Sequence, residues 1–296
     1  MPTVEIILPA YNAAAFLPIA LDSVIAQTFT DWRILLVDDG STDDTANIAA
    51  RYADQLGPKL LYIHQENRGL AAARNTAIRH AEAEFLALLD SDDVWLPGRL
   101  EASLQSFEGK PEVGLSYGLV EGIDLHGALR GRMVPRMYPQ GWVAAKIYMR
   151  EMDLPCPTIT FRRSALDGVG LFDETMRATE DRDLWVRLAQ RHQVACVPEI
   201  IAQYRTSPQA MTTDPDRMLT AQLQFVEKHY GTPGCGFRAR RVALSGMYRQ
   251  RAEALANRGL KRSAVQSGLH AVALYPFSAK NLRTAAGLLR RWIQAA

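Results

Sequence analysis

Four short apolar runs, at residues 4–8, 32–37, 60–64 and 85–89, alternate with stretches of helical spacing. The last of them is wholly apolar, and such a run reads as a strand buried on both faces. Strands that alternate with helices build βαβ units and a largely parallel sheet, so the fold class is α/β. Between the first two runs, Phe16, Leu17, Ala20, Leu21, Val24 and Ile25 recur at i, i+3 and i+4, with Asn12 placed as a cap. Ser41 and Asp44 have the spacing of a capping box opening a helix over 45–52. An alanine-rich helix is expected over 70–81, carrying Arg74 and Asn75.

The fourth run ends in Asp90-Ser91-Asp92-Asp93. Carboxylates massed at the end of a buried strand repel one another and are costly to desolvate without partners. Ligands of open α/β sheets bind at the carboxyl ends of the strands. Two readings of Asp90 and Asp92 stand. They hold a divalent cation that carries substrate phosphates, since hard cations take oxygen ligands, or they form a polar turn with Asp93 capping the next segment. The turn after the second run, Asp38-Asp39-Gly40, repeats the arrangement. Asp39 is suited to accept from a base or ribose donor, while Asp43 and Asp44 read as caps. Tyr11, at the end of the first run, is either a stacking surface for a base or a half-buried aromatic. Arg74 is either a salt-bridge residue or a planar fork for phosphate.

Beyond residue 95 the pattern changes. Residues 96–107 are helical, and 113–120 and 129–134 are strand-like around a hairpin turn at His126-Gly127. A strand is expected at 158–161. Leu184, Trp185, Val186 and Leu188 lie on an amphipathic helix whose first turn holds Glu180, Asp181 and Asp183, as the helix dipole favours. Two strands, 194–197 and 200–204, follow. Helix formers and arginine dominate from Cys235, and 237–257 and 260–274, around Gly259, read as a helical hairpin.

The chain's 296 residues are enough for a full core, and no apolar run reaches the roughly 18 residues that span a bilayer. The N-terminus enters a strand pattern directly, so no signal peptide is expected. Cys156, Cys196 and Cys235 have no metal or redox spacing and read as reduced thiols of a cytoplasmic protein. The net charge of +2 conceals an asymmetry: residues 237–296 hold twelve Lys and Arg against Glu253 alone, a net +11, which leaves −9 for the rest. Such a basic segment either meets an anionic surface or pairs with the acidic body.

Taken in order, several motifs resemble the inverting family 2 glycosyltransferases. They are Ile7-Leu8-Pro9-Ala10-Tyr11-Asn12; Ser23 with Gln27; Leu36-Val37-Asp38-Asp39-Gly40-Ser41-Thr42-Asp43; Asn67-Arg68-Gly69 with Ala73-Arg74-Asn75; Leu89-Asp90-Ser91-Asp92-Asp93; Gly170-Leu171-Phe172-Asp173-Glu174; and Glu180-Asp181-Arg182-Asp183-Leu184-Trp185. The resemblance covers residues 4–205. It implies a GT-A, or nucleotide-diphospho-sugar transferase, fold with a mixed, mainly parallel sheet and a C-terminal helical segment. It divides the chain at 1–110 for the nucleotide-sugar half, 111–232 for the acceptor half and 233–296 for the basic segment.

The implied activity is metal-dependent, non-processive transfer of a sugar from a nucleoside diphosphate sugar, UDP-linked, to a hydroxyl of a glycan or lipid-linked acceptor in polysaccharide and cell-envelope synthesis. Pro9, Ala10, Tyr11, Asp39, Arg74, Asp90 and Ser91 would bind the nucleotide. Asp92 and Asp90 would hold Mn2+ or Mg2+, Asp181 would be the general base, and Glu180 and Trp185 would face the sugar or acceptor. The expected location is the cytoplasm, with the basic segment either in peripheral contact with the anionic inner face of the membrane or packed on the acidic body. The family often carries a histidine after the equivalent of Tyr204-Arg205, where Thr206 stands here. Leu288 stands where the Gln-x-x-Arg-Trp motif of processive members would begin. A sugar nucleotidyltransferase or an inactive glycan-binding module are the alternatives. The first lacks its Gly-rich loop here, and intact Asp90, Asp92 and Asp181 speak against the second.

Overall fold

The computed structural model describes residues 1–133, 138–176, 178–206 and 214–293. The four apolar runs are parallel strands: β1 (Val4–Ala10), β2 (Trp32–Asp39), β3 (Leu60–Gln65) and β4 (Phe85–Leu88). They stand in the order β3-β2-β1-β4. Ala10 is level with Asp38, Asp39 with Gln65, and Ile7 with Leu88, so their carboxyl ends open on one edge. The connecting helices are α1 (Leu17–Ile25), α2 (Thr45–Leu56) and α3 (Leu70–Arg79). Val4, Ile6, Leu8, Ile34 and Leu36 of the strands pack with Leu17, Leu21 and Val24 of α1, all buried, which removes enough apolar surface to fix that layer.

The sheet continues with mixed polarity. Here β8 (Thr160–Arg162) runs antiparallel to β4, and β6 (Val113–Ile123) antiparallel to β8. Strand β9 (Gln193–Arg205) runs parallel to β6 and carries the two-residue edge strand β5 (Val94–Trp95). The expected hairpin forms: β7 (Leu129–Met133) folds back on β6, its turn tied by Asp124 accepting from the His126 and Ala128 amides. Residue 134 lies outside the described residues. Helices α4 (Arg99–Gln105) and α6 (Glu180–Ala189) complete this part.

Three local expectations are corrected. Residues 194–204 form one strand, not two. Cys196 faces Tyr117 and Ile200 faces Leu119, so 197–199 bulge outward and Pro198 needs no ladder partner. Asn12 caps nothing: α1 begins at Leu17 without a side-chain cap, and Asn12 sits at φ 48°. The Ser41–Asp44 capping box does not form. The Ser41 hydroxyl accepts from the Asn12 amide instead, and Asp43 takes the Thr45 amide at 3.0 Å.

The chain divides into two compact units, residues 1–143 with 154–207, and 144–153 with 208–296. The halves expected at 1–110 and 111–232 share one sheet, and the break falls after 207 rather than at 232. The second unit is helical: α5 (Ala144–Tyr148), α7 (Pro215–His229), α8 (Phe237–Asn257), α9 (Lys261–Leu274) and α10 (Ala279–Ile293). The α8–α9 hairpin forms as expected, and α10 closes on it through Leu288, packed with Ala252, Leu255, Ala264 and Val265. Among the described residues, no helix is long and apolar enough to cross a membrane.

Candidate active site

Because β1 lies between β2 and β4, the loop after β1 stands between the two acidic turns. Pro9 and Ala10 are buried, whereas Tyr11 is 53% exposed and free to offer its ring. Side chains stitch three loops together. The Asn12 side chain accepts from the Thr42 amide at 2.8 Å, and Thr45 Oγ1 accepts from the Ala13 amide at 2.8 Å. Asp39, almost fully buried, accepts from Gln65 Nε2 at 2.6 Å, the Arg68 amide at 2.9 Å and the Gly69 amide at 2.8 Å. A carboxylate has about four acceptor positions, so three bonds leave one for a ligand. Asp38 is bonded by the Ser41 amide, Tyr62 and His64, which outweigh its burial and hold its pKa below the usual carboxylate value.

At the end of β4, Asp90, Ser91 and Asp92 are half-buried. Burial, and then the charge of Asp90, push the Asp92 carboxyl up to about 6. Asp93 is not a helix cap. It is 1% exposed, its Oδ1 accepts from the Arg205 amide at 2.8 Å, and its Oδ2 is buried without a partner. Arg205 ends β9 and binds the turn from the other side, its Nε donating to the Asp92 carbonyl at 2.8 Å. The sequence reading missed this role, although Arg205 ends an apolar run as Asp39 and Asp90 do.

Arg74 joins the two sides of the site. It is 2% exposed, donates to Asp90 at 2.7 Å and to Glu180 at 3.3 Å, and lies 3.1 Å from Cys156 Sγ. Burial opposes its charge, but Asp90, Cys156 and Glu180 outweigh burial and keep it protonated. Its two terminal nitrogens are engaged by protein carboxylates, the salt-bridge alternative of the two readings, while its Nε is buried without a partner. Helix α6 brings Glu180 and Asp181 in its first turn. Glu180 is pushed up to about 7 by burial and then by Asp181. Asp181 is half-buried, and its Oδ1 accepts from the Arg182 amide at 2.6 Å. Trp185 does not reach this space. It is 2% exposed, with ring centroids of Phe161 and Phe172 at 6.3 and 6.1 Å, so its expected sugar contact is withdrawn.

The donor set fits a hard divalent cation. Asp92 and Asp90 offer carboxylate oxygens, and the unpartnered Asp93 oxygen beside them marks a place short of positive charge. Among the described residues, no three side chains already converge as a ligand set.

A sheet of this topology, with carboxylates at adjoining strand ends and an acidic helix start linked to them, has the architecture of the GT-A, or nucleotide-diphospho-sugar transferase, fold. The glycosyl transferase family 2 model matches residues 5–169, more than half of the chain, and the chain belongs to that family. The Escherichia coli UDP-Glc:alpha-D-GlcNAc-diphosphoundecaprenol beta-1,3-glucosyltransferase WfgD is 30% identical over 221 residues, 74% of this chain and 83% of that one. Staphylococcus aureus TarS 1-349 in complex with UDP-GlcNAc superposes with a TM-score of 0.65 at 17% identity, covering 99% of this chain and 92% of that chain. The mannosyltransferase PcManGT of Pyrobaculum calidifontis, in complex with GDP-Man and Mn2+, gives 0.64 at 19% identity over 97% and 79% of the two chains. At these identities the structural likeness speaks for the fold. The protein is a glycosyltransferase.

Proposed function

We propose that the protein moves a sugar, with inversion, from a UDP-sugar to a hydroxyl of a lipid-linked glycan. The observation that carries this reading is the Asp90–Arg74–Glu180 link, which couples the carboxylates after β4 to the first turn of α6. Tyr11 stacks on the base, and the remaining acceptor position of Asp39 takes the base N–H. Asp92 and Asp90 hold Mn2+ or Mg2+, and a bound divalent cation supplies charge neutralisation for the leaving diphosphate. Asp181 takes the proton of the attacking hydroxyl, which is a poor nucleophile without a base in reach. A single base and no covalent intermediate invert the anomeric centre. The WfgD likeness supports the UDP donor and the lipid-linked acceptor.

The test is a product assay over UDP-sugars, with and without Mn2+, using a polyprenyl-diphosphate-linked sugar as acceptor. Asp181→Asn is expected to keep UDP binding while transfer falls by roughly 10²–10⁴-fold. Transfer within a few-fold of wild type moves the base elsewhere. Equal UDP affinity in EDTA rejects the metal role of Asp92.

A further inference from the structure

Residues 208–296 contain four acids, and each is engaged. Asp214 caps α7, while Asp216, Glu227 and Glu253 pair with Arg251, Arg240 and Arg249 at 2.7, 2.5 and 2.8 Å. No acid follows Glu253 in the sequence. Exposed Lys280, Arg283 and Arg290 therefore have no acidic partner among the described residues. They lie at i, i+3 and i+10 on α10, one exposed face with Ala286 and Gly287 between them.

Two large apolar side chains near the start of α10 are exposed as well. Phe277, just before α10, is 88% exposed, and Phe237, opening α8, is 64% exposed. The two helix starts are tied together. Arg241 lies over the Phe237 ring and donates to the Leu274 carbonyl at 2.8 Å, and Asn281 donates to Ser245 and to the Tyr275 carbonyl. Arg238 and Lys280 stand in the first turns of α8 and α10, where the helix dipole favours acids. Their charges work against helix stability, so folding does not account for them.

We propose that the Lys280–Arg283–Arg290 face of α10, with Phe237 and Phe277 beside its first turn, docks the protein on an anionic lipid bilayer. The proposal rests on the reading that the acceptor is lipid-linked, and it says which surface meets the acceptor's membrane. Cations alone would suit any polyanion. Exposed phenylalanines next to them suit the headgroup boundary, which takes aromatic rings and cations together. On α10 itself, Leu288 and Leu289 pack against the α8–α9 core, while Leu282 stays exposed. The side chains of Arg291, Trp292 and Ile293 lie outside the described residues.

The test is flotation of the full chain with vesicles of phosphatidylcholine alone, or of phosphatidylcholine and phosphatidylglycerol in equal parts. Binding is expected only with the anionic lipid and is expected to fall with salt. The triple substitution Lys280→Glu, Arg283→Glu, Arg290→Glu is expected to lower the bound fraction roughly tenfold or more, and Phe237→Ala with Phe277→Ala to weaken it at unchanged charge. Circular dichroism guards against unfolding. Flotation needs neither donor nor acceptor, so failure of the transfer reading does not disturb it. A triple variant that still transfers to detergent-solubilised acceptor but does not float supports the proposal. No flotation at low salt, binding indifferent to lipid charge, or a folded triple variant that floats as wild type overturns it.

Discussion

At the scale of residues, the site is a crowd of carboxylates held by two buried arginines, Arg74 and Arg205, and the crowding leaves a thermodynamic mark. Glu180 is pushed from 4.5 to about 7 by burial and its acidic neighbours. A carboxyl raised in the folded state imposes no penalty below its unfolded pKa. It costs stability progressively as pH rises from about 4.5 to about 7, and fully above that. Glu180→Gln removes the titration and keeps an acceptor for Arg74. Its melting temperature relative to wild type is therefore expected to rise between pH 5 and pH 8, by on the order of 1 to 3 kcal/mol of stability. A difference that does not change with pH rejects this account. Which residues meet at the site was only partly legible. Asp90, Asp92 and Asp181 stand out because a polar cluster ends an apolar run or opens an amphipathic helix. Arg74 stands out too, as a salt-bridge residue or a phosphate fork, whereas Arg205 does not, because its partner Asp92 lies 113 positions away in sequence.

At the scale of elements, β1 to β4 were legible because each carries a short, mainly apolar run set between stretches of helical spacing, and β4 is apolar and buried throughout. Edge strand β5 was not, having two residues and no pattern. Strand β9 read as two because proline interrupts its run, whereas the bulge across Gly118 absorbs it. A Cβ at Gly118 would meet Ile201 Cδ1 at 2.4 Å, so the Ile201 side chain lies where that glycine leaves room for it. Helix α7 went unread despite Asp214 and Pro215 at its start, an ordinary cap and first position. The turn after β2 supplies a sharper test. Gly40 has φ +76°, and a Cβ there would lie 2.8 Å from the Asn67 amide nitrogen, in the loop whose next two amides bind Asp39. Gly40→Ala is expected to cost about 1–3 kcal/mol and to weaken UDP binding. Gly246→Ala, inside α8 with nothing within 4 Å, is expected to be neutral or to stabilise by up to about 1 kcal/mol. Equal denaturation midpoints for the two variants would sink the argument.

At the scale of the whole molecule, fold class followed from the alternation of strands and helices, but the partition of the chain did not. Composition shifts near Cys235, whereas the compact units part after residue 207, because α7 packs with α8 and the sheet needs β9 to fill its far side. The stitching of the loops after β1, β2 and β3 has a consequence for motion. Loop amides ordinarily trade their hydrogens with solvent quickly. Here the amides of Ala13, Thr42, Thr45, Arg68 and Gly69 are each donated to a side-chain oxygen. A hydrogen-exchange map of the whole protein without ligand is expected to show these positions protected on the timescale of the flanking strands. Adding UDP is expected to slow them little further. Fast exchange that becomes slow only with UDP would mean that the cradle is formed by its ligand. Slow exchange in its absence would make the nucleotide a guest in a seat already set, its binding free of the entropy of ordering three loops.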